Sequence, residues 1–195
     1  MSTRARAITM VLGLGLGLGL GLGLGLGLGG CRGAGPYGYA PNYVPTGGEE
    51  SATKDAREYD PVMYQRESET WRKSATVLFG VVTGRAPGPG GAAYLTLSVR
   101  RLEPRNLCSN ANDEDTCRVT VSDRDFGVVH ALTPLRPDDD LGERSVGAGS
   151  LVRVAGKFGE DVDPNDGAPI LHGSFYRHWP RHFFVTKANA ETMRQ

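Results

Sequence analysis

Neither a Gly-x-Ser-x-Gly nucleophile elbow nor a phosphate-binding loop occurs in this chain. The Gly-rich segments 84–91 and 147–149 lack the Lys-Ser/Thr ending that a phosphate loop needs. Histidine is scarce and poorly placed for metal. His178 and His182 have the i, i+4 spacing of a helical zinc pair, but Pro180 stands between them and no nearby Cys or Glu completes a site. His130 and His172 are too distant in sequence to be assigned. Charge of neither sign is in surplus: the 195 residues hold 22 Lys+Arg and 22 Asp+Glu. Residues 1–30 contain two of the basic residues and none of the acidic ones, which leaves 20 against 22, a formal charge of −2, for the remainder. Nucleic-acid binding rests on an excess of Lys and Arg facing phosphates, so that partner class is excluded. These absences point away from an enzyme, and no cofactor or metal is expected.

What is present begins with an export leader: basic Arg4 and Arg6, an apolar run containing nine consecutive Leu-Gly pairs from Leu12 to Gly29, and small residues at its end. Leu28-Gly29-Gly30-Cys31 resembles the bacterial lipobox, which implies cleavage before Cys31 and acylation of that cysteine. Half of the repeat is Gly, and each Gly costs about 1 kcal/mol of helix propensity relative to Ala. The run therefore suits a removable signal better than a permanent helix, although an uncleaved anchor is the alternative that its length allows. Arg32, after the acylated position, is not the Asp that resembles an inner-membrane retention signal, which favours the outer membrane. Of the three Cys, Cys108 and Cys117 remain, in a compartment where disulfides persist, and they are expected to pair.

Residues 31–72 read as the acylated cysteine, a Gly/Pro/Tyr-rich tether to about Gly48 and a short polar lead-in. Tyr37, Tyr39 and Tyr43 form a stripe that a partner could take. Short helical turns are expected around Glu50–Arg57 and Met63–Arg72, with Met63 and Trp71 touching the body of the domain. Strands follow over residues 73–187, signalled by β-branched and apolar residues between turn clusters. They are read at Ala75–Thr83, Ala93–Leu102, Cys117–Ser122, Leu151–Phe158 and Ile170–Tyr176, the last with a continuation at Phe183–Thr186. In the second, Leu95, Leu97 and Val99 alternate with Thr96, Ser98 and Arg100, the period of a half-buried strand. Segment 84–91 reads as a turn, 124–150 as a long connection, and 188–195 as a tail.

Five strands with the long connection between the third and fourth predict an all-β domain, a five-stranded OB-like Greek-key barrel. Ser68-Glu69-Thr70-Trp71-Arg72-Lys73-Ser74 running into Val77-x-x-Gly80-x-Val82 resembles the start of many bacterial envelope OB domains. Together with the lipobox, the tether, Val99-x-x-Leu102 and Val152-x-Val154-x-Gly156, this order is similar to the Slp-type outer-membrane lipoproteins over roughly Trp71–Trp179. The resemblance implies a lipid-anchored outer-membrane protein that acts as a structural or interaction module. Its partners would be the membrane, through the anchor, and an envelope protein or glycan. The acidic insert between Cys108 and Cys117 has no counterpart in that family.

Two acidic loops and one aromatic-basic cluster are the remaining places for chemistry. The 109–116 loop offers oxygen ligands to a hard cation, or is a stapled hairpin tip. Asp161-Val-Asp163-Pro-Asn165-Asp166-Gly167 starts like an EF-hand, but Asp166 stands where Gly is needed and His172 where a bidentate carboxylate is needed, so a polar turn is expected. Within Phe175–Phe184, Tyr176, Arg177, His178, Trp179 and Arg181 are candidate ligand-binding residues, since stacking faces and cations are how OB barrels hold sugars. The competing reading has Phe175, Trp179, Phe183 and Phe184 closing the barrel, with Arg177 and Arg181 along its rim.

Overall fold

Strict alternation makes the sheet. In β3 (Ala93–Arg100), Ala93, Leu95, Leu97 and Val99 are buried while Tyr94, Thr96, Ser98 and Arg100 are only partly so, because successive side chains of a strand point to opposite faces. A computed structural model of the chain describes residue 43, residues 45–103, 119–181 and 184–186, and residue 188. The leader, Cys31, Tyr37 and Tyr39, the Cys108–Cys117 pair with its acidic loop, His182 and Phe183 lie outside the described residues.

The described protein is mostly β. Its elements are α1 (Gly47–Thr53), β1 (Arg57–Glu58), α2 (Pro61–Arg66), α3 (Ser68–Lys73), β2 (Thr76–Pro87), β3, β4 (Val119–Val121), β5 (Val128–Thr133), α4 (Pro137–Asp140), β6 (Leu151–Val162), β7 (Pro169–Trp179) and β8 (Phe184–Thr186). Six strands form one sheet in the order β1-β2-β3-β5-β7-β6, and β6 also pairs with β2, so the sheet closes partly into a ring. Pairing is antiparallel around the ring except between β5 and β7, which run parallel. At the β6–β7 irregularity the two backbones come so close that a Cβ on Gly156 would lie 2.1 Å from the His172 carbonyl oxygen. Only Gly fits there.

Two strand expectations need correction. The third strand of the ring is β5, which lies inside the stretch read as a long connection. The Val119–Val121 segment instead pairs in parallel with β8, as a separate two-stranded sheet. Both segments have buried apolar residues at alternate positions, and a period of two cannot tell which sheet a strand joins. Segment 84–91 is also not simply a turn. β2 continues through Pro87 and pairs with β3 from Phe79 to Pro87, and a 3-10 turn at Pro89–Gly91 follows.

The side chains sort into two apolar clusters by strand parity. Leu78, Val82, Leu95, Leu97, Val129, Ala131, Val152, Val154 and Leu171 form the first, enclosed by the ring. Phe79, Leu151 and Trp179, one residue out of phase, join Val119 and Val121 in a second cluster on the other face. The lead-in is part of both layers. Tyr43 packs edge-on against Phe79 and Trp179, with ring centroids 5.6 and 6.0 Å away. Trp71 is buried as expected, against Tyr59, but Met63 is among the exposed apolar residues. The Asp60 carboxylate caps α2 by accepting from the Val62 and Met63 amides. In that short helix it is Tyr64 that reaches the body, 4.6 Å from the Phe158 ring.

Candidate functional site

Three polar clusters are built on this frame, and the five candidate residues of β7 and the turn after it are divided between two of them and the surface. Tyr176 and His178 face the same way as their cross-strand partners Val154 and Val152. Arg177 and Trp179 face the other way. The alternation that makes β7 a strand therefore prevents its aromatic and basic side chains from forming one surface.

On the ring side, Asp139 of α4 gathers the first cluster. Its Oδ2 accepts from the Tyr176 hydroxyl at 2.6 Å and from Arg136 Nε at 2.8 Å, and its Oδ1 lies 3.0 Å from His178 Nδ1. The Arg136 amide donates back to the Tyr176 oxygen at 2.8 Å. Arg85 pins the same loop by donating to the Asp140 and Val146 carbonyls at 3.0 and 2.9 Å, and it forms an ion pair with the Asp140 carboxylate. An imidazole oriented by a carboxylate is half of a nucleophile-activating arrangement. Among the described residues no hydroxyl or thiol hydrogen-bonds the buried His178 Nε2.

The protonation of this cluster sets a pH dependence. Burial pushes the His178 imidazole below its ordinary value, outweighing the pull of Asp139. Burial also works against ionisation of Asp139, but hydrogen bonds from Tyr176, His178 and Arg136 prevail and hold its carboxyl below the usual range. At both groups the unfolded chain binds more protons than the folded one, so their stabilisation is lost as pH falls. The His178 contribution is complete above about 6.5, the unfolded value, and fades through the lower folded value. That of Asp139 fades in the carboxylate range. Urea midpoints are expected to decline as pH drops below about 6.5, and His178→Asn is expected to flatten the first part of that decline. An unchanged slope in the variant would contradict a buried neutral imidazole.

On the opposite face, Glu49 of α1 is fully buried. It accepts from Arg177 Nη1 at 3.0 Å, from the Tyr43 hydroxyl at 2.5 Å and from the Thr46 amide at 3.2 Å, and it forms an ion pair with Arg153. Arg177 is only 4% exposed, with its guanidinium 4.7 Å above the Trp179 ring. The rim position expected for Arg177 is thus corrected: a buried carboxylate from the lead-in holds it inside. Burial, followed by the neighbouring Glu49 charge, drives the Tyr43 phenol far above its ordinary pKa. Trp179 is fully buried, in the second apolar cluster rather than the one enclosed by the ring. Arg181 is exposed and lines a shallow cleft of about 620 Å³ with Glu143, Arg144, Ser145 and Pro180.

Sequence reasoning did not identify Glu49. The signal was there: Thr46-Gly47-Gly48-Glu49 has the spacing of a capping box, and the reciprocal bonds of that box are formed. Their role in burying a charge has no sequence signature.

The third cluster lies on the outer side of β3 and β5. The turn expected at 161–167 is present in shorter form, after β6 runs on through Val162, and it folds over His130, which the sequence left unassigned. His130 Nε2 is 3.0 Å from Asp166 Oδ2 and 3.9 Å from Asp163 Oδ2, while its Nδ1 is 3.3 Å from Thr96 Oγ1. Tyr94 stacks on the imidazole at 5.0 Å and donates its hydroxyl to Asp163 Oδ2 at 2.6 Å. That bond, the Asn165 amide and the charge of His130 hold the Asp163 carboxyl below its ordinary range. The Ala168 amide and His130 do the same for Asp166. No family model matches the chain, and no curated protein matches it either.

Proposed function

We infer that this chain is a lipoprotein anchored in the outer membrane through Cys31, carrying an OB-like five-stranded Greek-key barrel that serves as a structural or interaction module of the cell envelope. The observation that carries the module reading is that the β7 side chains are taken up on both faces of the sheet. Trp179 is fully buried, Arg177 is bound to Glu49, and Tyr176 and His178 are bound to Asp139. Four of the five side chains that would have to grip a ligand are spent on holding the sheet to its covering segments. The barrel reading draws support from the strand order β2-β3-β5-β7-β6 with β6 returning to β2, which suits a partly open Greek-key barrel.

The anchoring part is tested at Cys31. Each buried acyl methylene contributes about 0.8 kcal/mol, and stable attachment takes more than one chain, which a diacylglyceryl cysteine supplies. Cys31→Ser is expected to leave the precursor uncut. Processing at residue 30 with unchanged detergent behaviour in the membrane pellet would refute the lipoprotein reading. For the module part, crosslinking in cells followed by mass spectrometry is expected to return discrete envelope-protein neighbours.

A second reading, a glycan- or peptidoglycan-binding module, is favoured by one observation. Tyr94 and His130 stack on the outer side of β3 and β5 beneath the β6–β7 turn, and in an OB-like barrel that side and that loop are where saccharides bind. Retention of the full chain on purified sacculi, abolished by Tyr94→Ala without loss of folding, would establish this reading over the first.

A further inference from the structure

His130, Asp163 and Asp166 converge although no motif joins them. One ligand atom from each lies within 4.8 Å of the others. Ligands about 2.1 Å from a tetrahedral zinc ion lie roughly 3.4 Å apart. The imidazole nitrogen stands 3.0 and 3.9 Å from the two carboxylate oxygens, on either side of that value. Small shifts of an exposed turn would bring all three to bonding distance of one ion.

The groups behind the ligands are those a metal site needs. Thr96 Oγ1 can accept a proton on His130 Nδ1, which leaves the Nε2 lone pair facing the carboxylates. Asp163 is braced by the Tyr94 hydroxyl and the Asn165 amide, and Asp166 by the Ala168 amide. The turn itself is closed by hydrogen bonds from the Gly167 amide to the Asp163 carbonyl, at 2.8 Å, and from the Asp163 amide to the Ala168 carbonyl, at 2.9 Å. Both carboxylates are therefore positioned in advance. His130 and Asp163 are also buried, at 5% and 6% exposure, and a buried charge is stable when paired or bound to metal.

We propose that His130, Asp163 and Asp166 form a binding site for one divalent cation of the zinc type, which fastens the β6–β7 turn to the outer side of β3 and β5. The donor set selects the class of ion. One imidazole nitrogen with two carboxylate oxygens suits Zn²⁺, or Co²⁺ in its place. Ca²⁺ takes six or more oxygens and Mg²⁺ keeps an octahedron of them. Three protein ligands leave a fourth position to water. The proposal stands apart from lipid anchoring, but it shares Tyr94 and His130 with the glycan-binding reading, from which Zn²⁺ binding and retention on sacculi are separate readouts.

The test is equilibrium dialysis of the purified full-length chain, stripped with chelator, against Zn²⁺ alone. The expected result is one tightly bound Zn²⁺ per chain, undisturbed by an equal concentration of Ca²⁺. Asp166 is the safest position to change, because its side chain is 42% exposed and Asn keeps an acceptor for the Ala168 amide. Loss of an outer-shell partner alone weakens metal binding roughly 10–100-fold, so Asp166→Asn is expected to weaken it by at least about tenfold with an unchanged circular dichroism spectrum. His130→Gln is expected to remove the visible absorption of the Co²⁺-loaded protein. Absence of stoichiometric Zn²⁺, equal affinity in Asp166→Asn, or displacement by an equal concentration of Ca²⁺ would each overturn the proposal. If His130→Gln fails to fold, the Asp166→Asn affinity decides alone.

Discussion

Glu49→Ala is expected to cost about 3–5 kcal/mol of stability, the range found when one partner of a buried ion pair is removed. The side chain is fully buried between Arg177 and Arg153, so its loss leaves two guanidinium groups next to the Phe79, Trp179 and Tyr43 rings with no counter-charge. Arg177 is the more deeply buried of the two, at 4% exposure against 16% for the Arg153 side chain. The variant also loses the side-chain half of the α1 capping box. Replacing a buried pair by apolar residues of similar size is often neutral. Glu49→Leu combined with Arg177→Met is therefore expected to recover much of what Glu49→Ala loses. Urea denaturation of the three proteins measures this. A Glu49→Ala protein within about 0.5 kcal/mol of the original, as for an exposed position, would show that the covering segment does not hold the sheet.

Trp179→Ala is expected to cost a similar amount, about 3–5 kcal/mol, as truncation of a buried aromatic does. In a domain of this size that corresponds to roughly 6–20 °C in melting temperature. The indole fills the centre of the second cluster, with its ring 6.0 Å from both Phe79 and Tyr43 and beneath the Arg177 guanidinium. Its removal strips contacts from β2, β6 and the lead-in together. Arg181→Ala, only a short step along the chain, is expected to stay within about 0.5 kcal/mol because its side chain is exposed. A calorimetric scan of the pair checks the contrast. A stable Trp179→Ala protein that had lost an envelope interaction would return Trp179 to the role of a ligand contact.

Four strands of the ring could be read from the sequence because their signal is local. Leu95, Leu97 and Val99 state their own period, and the segments at Thr76, Leu151 and Pro169 carry β-branched, apolar or aromatic residues bounded by turn residues. The expected turn at 161–167 is likewise dictated by its own Asp, Pro, Asn and Gly residues. What the sequence could not state was partnership. Val119–Val121 and Val128–Thr133 have equally strand-like patterns, and only assembly decides that the second enters the ring while the first pairs with Phe184–Thr186. The same limit hid the charge clusters. Arg177 looked like a rim residue because its neutralising partner, Glu49, is 128 positions away. His130 looked unassigned because Asp166 lies 36 positions further on. Periodicity assigns a side chain to a face of its own strand. Whether that face meets water, an apolar layer or an opposite charge depends on which distant segment packs against it, and only the tertiary structure brings that segment into place.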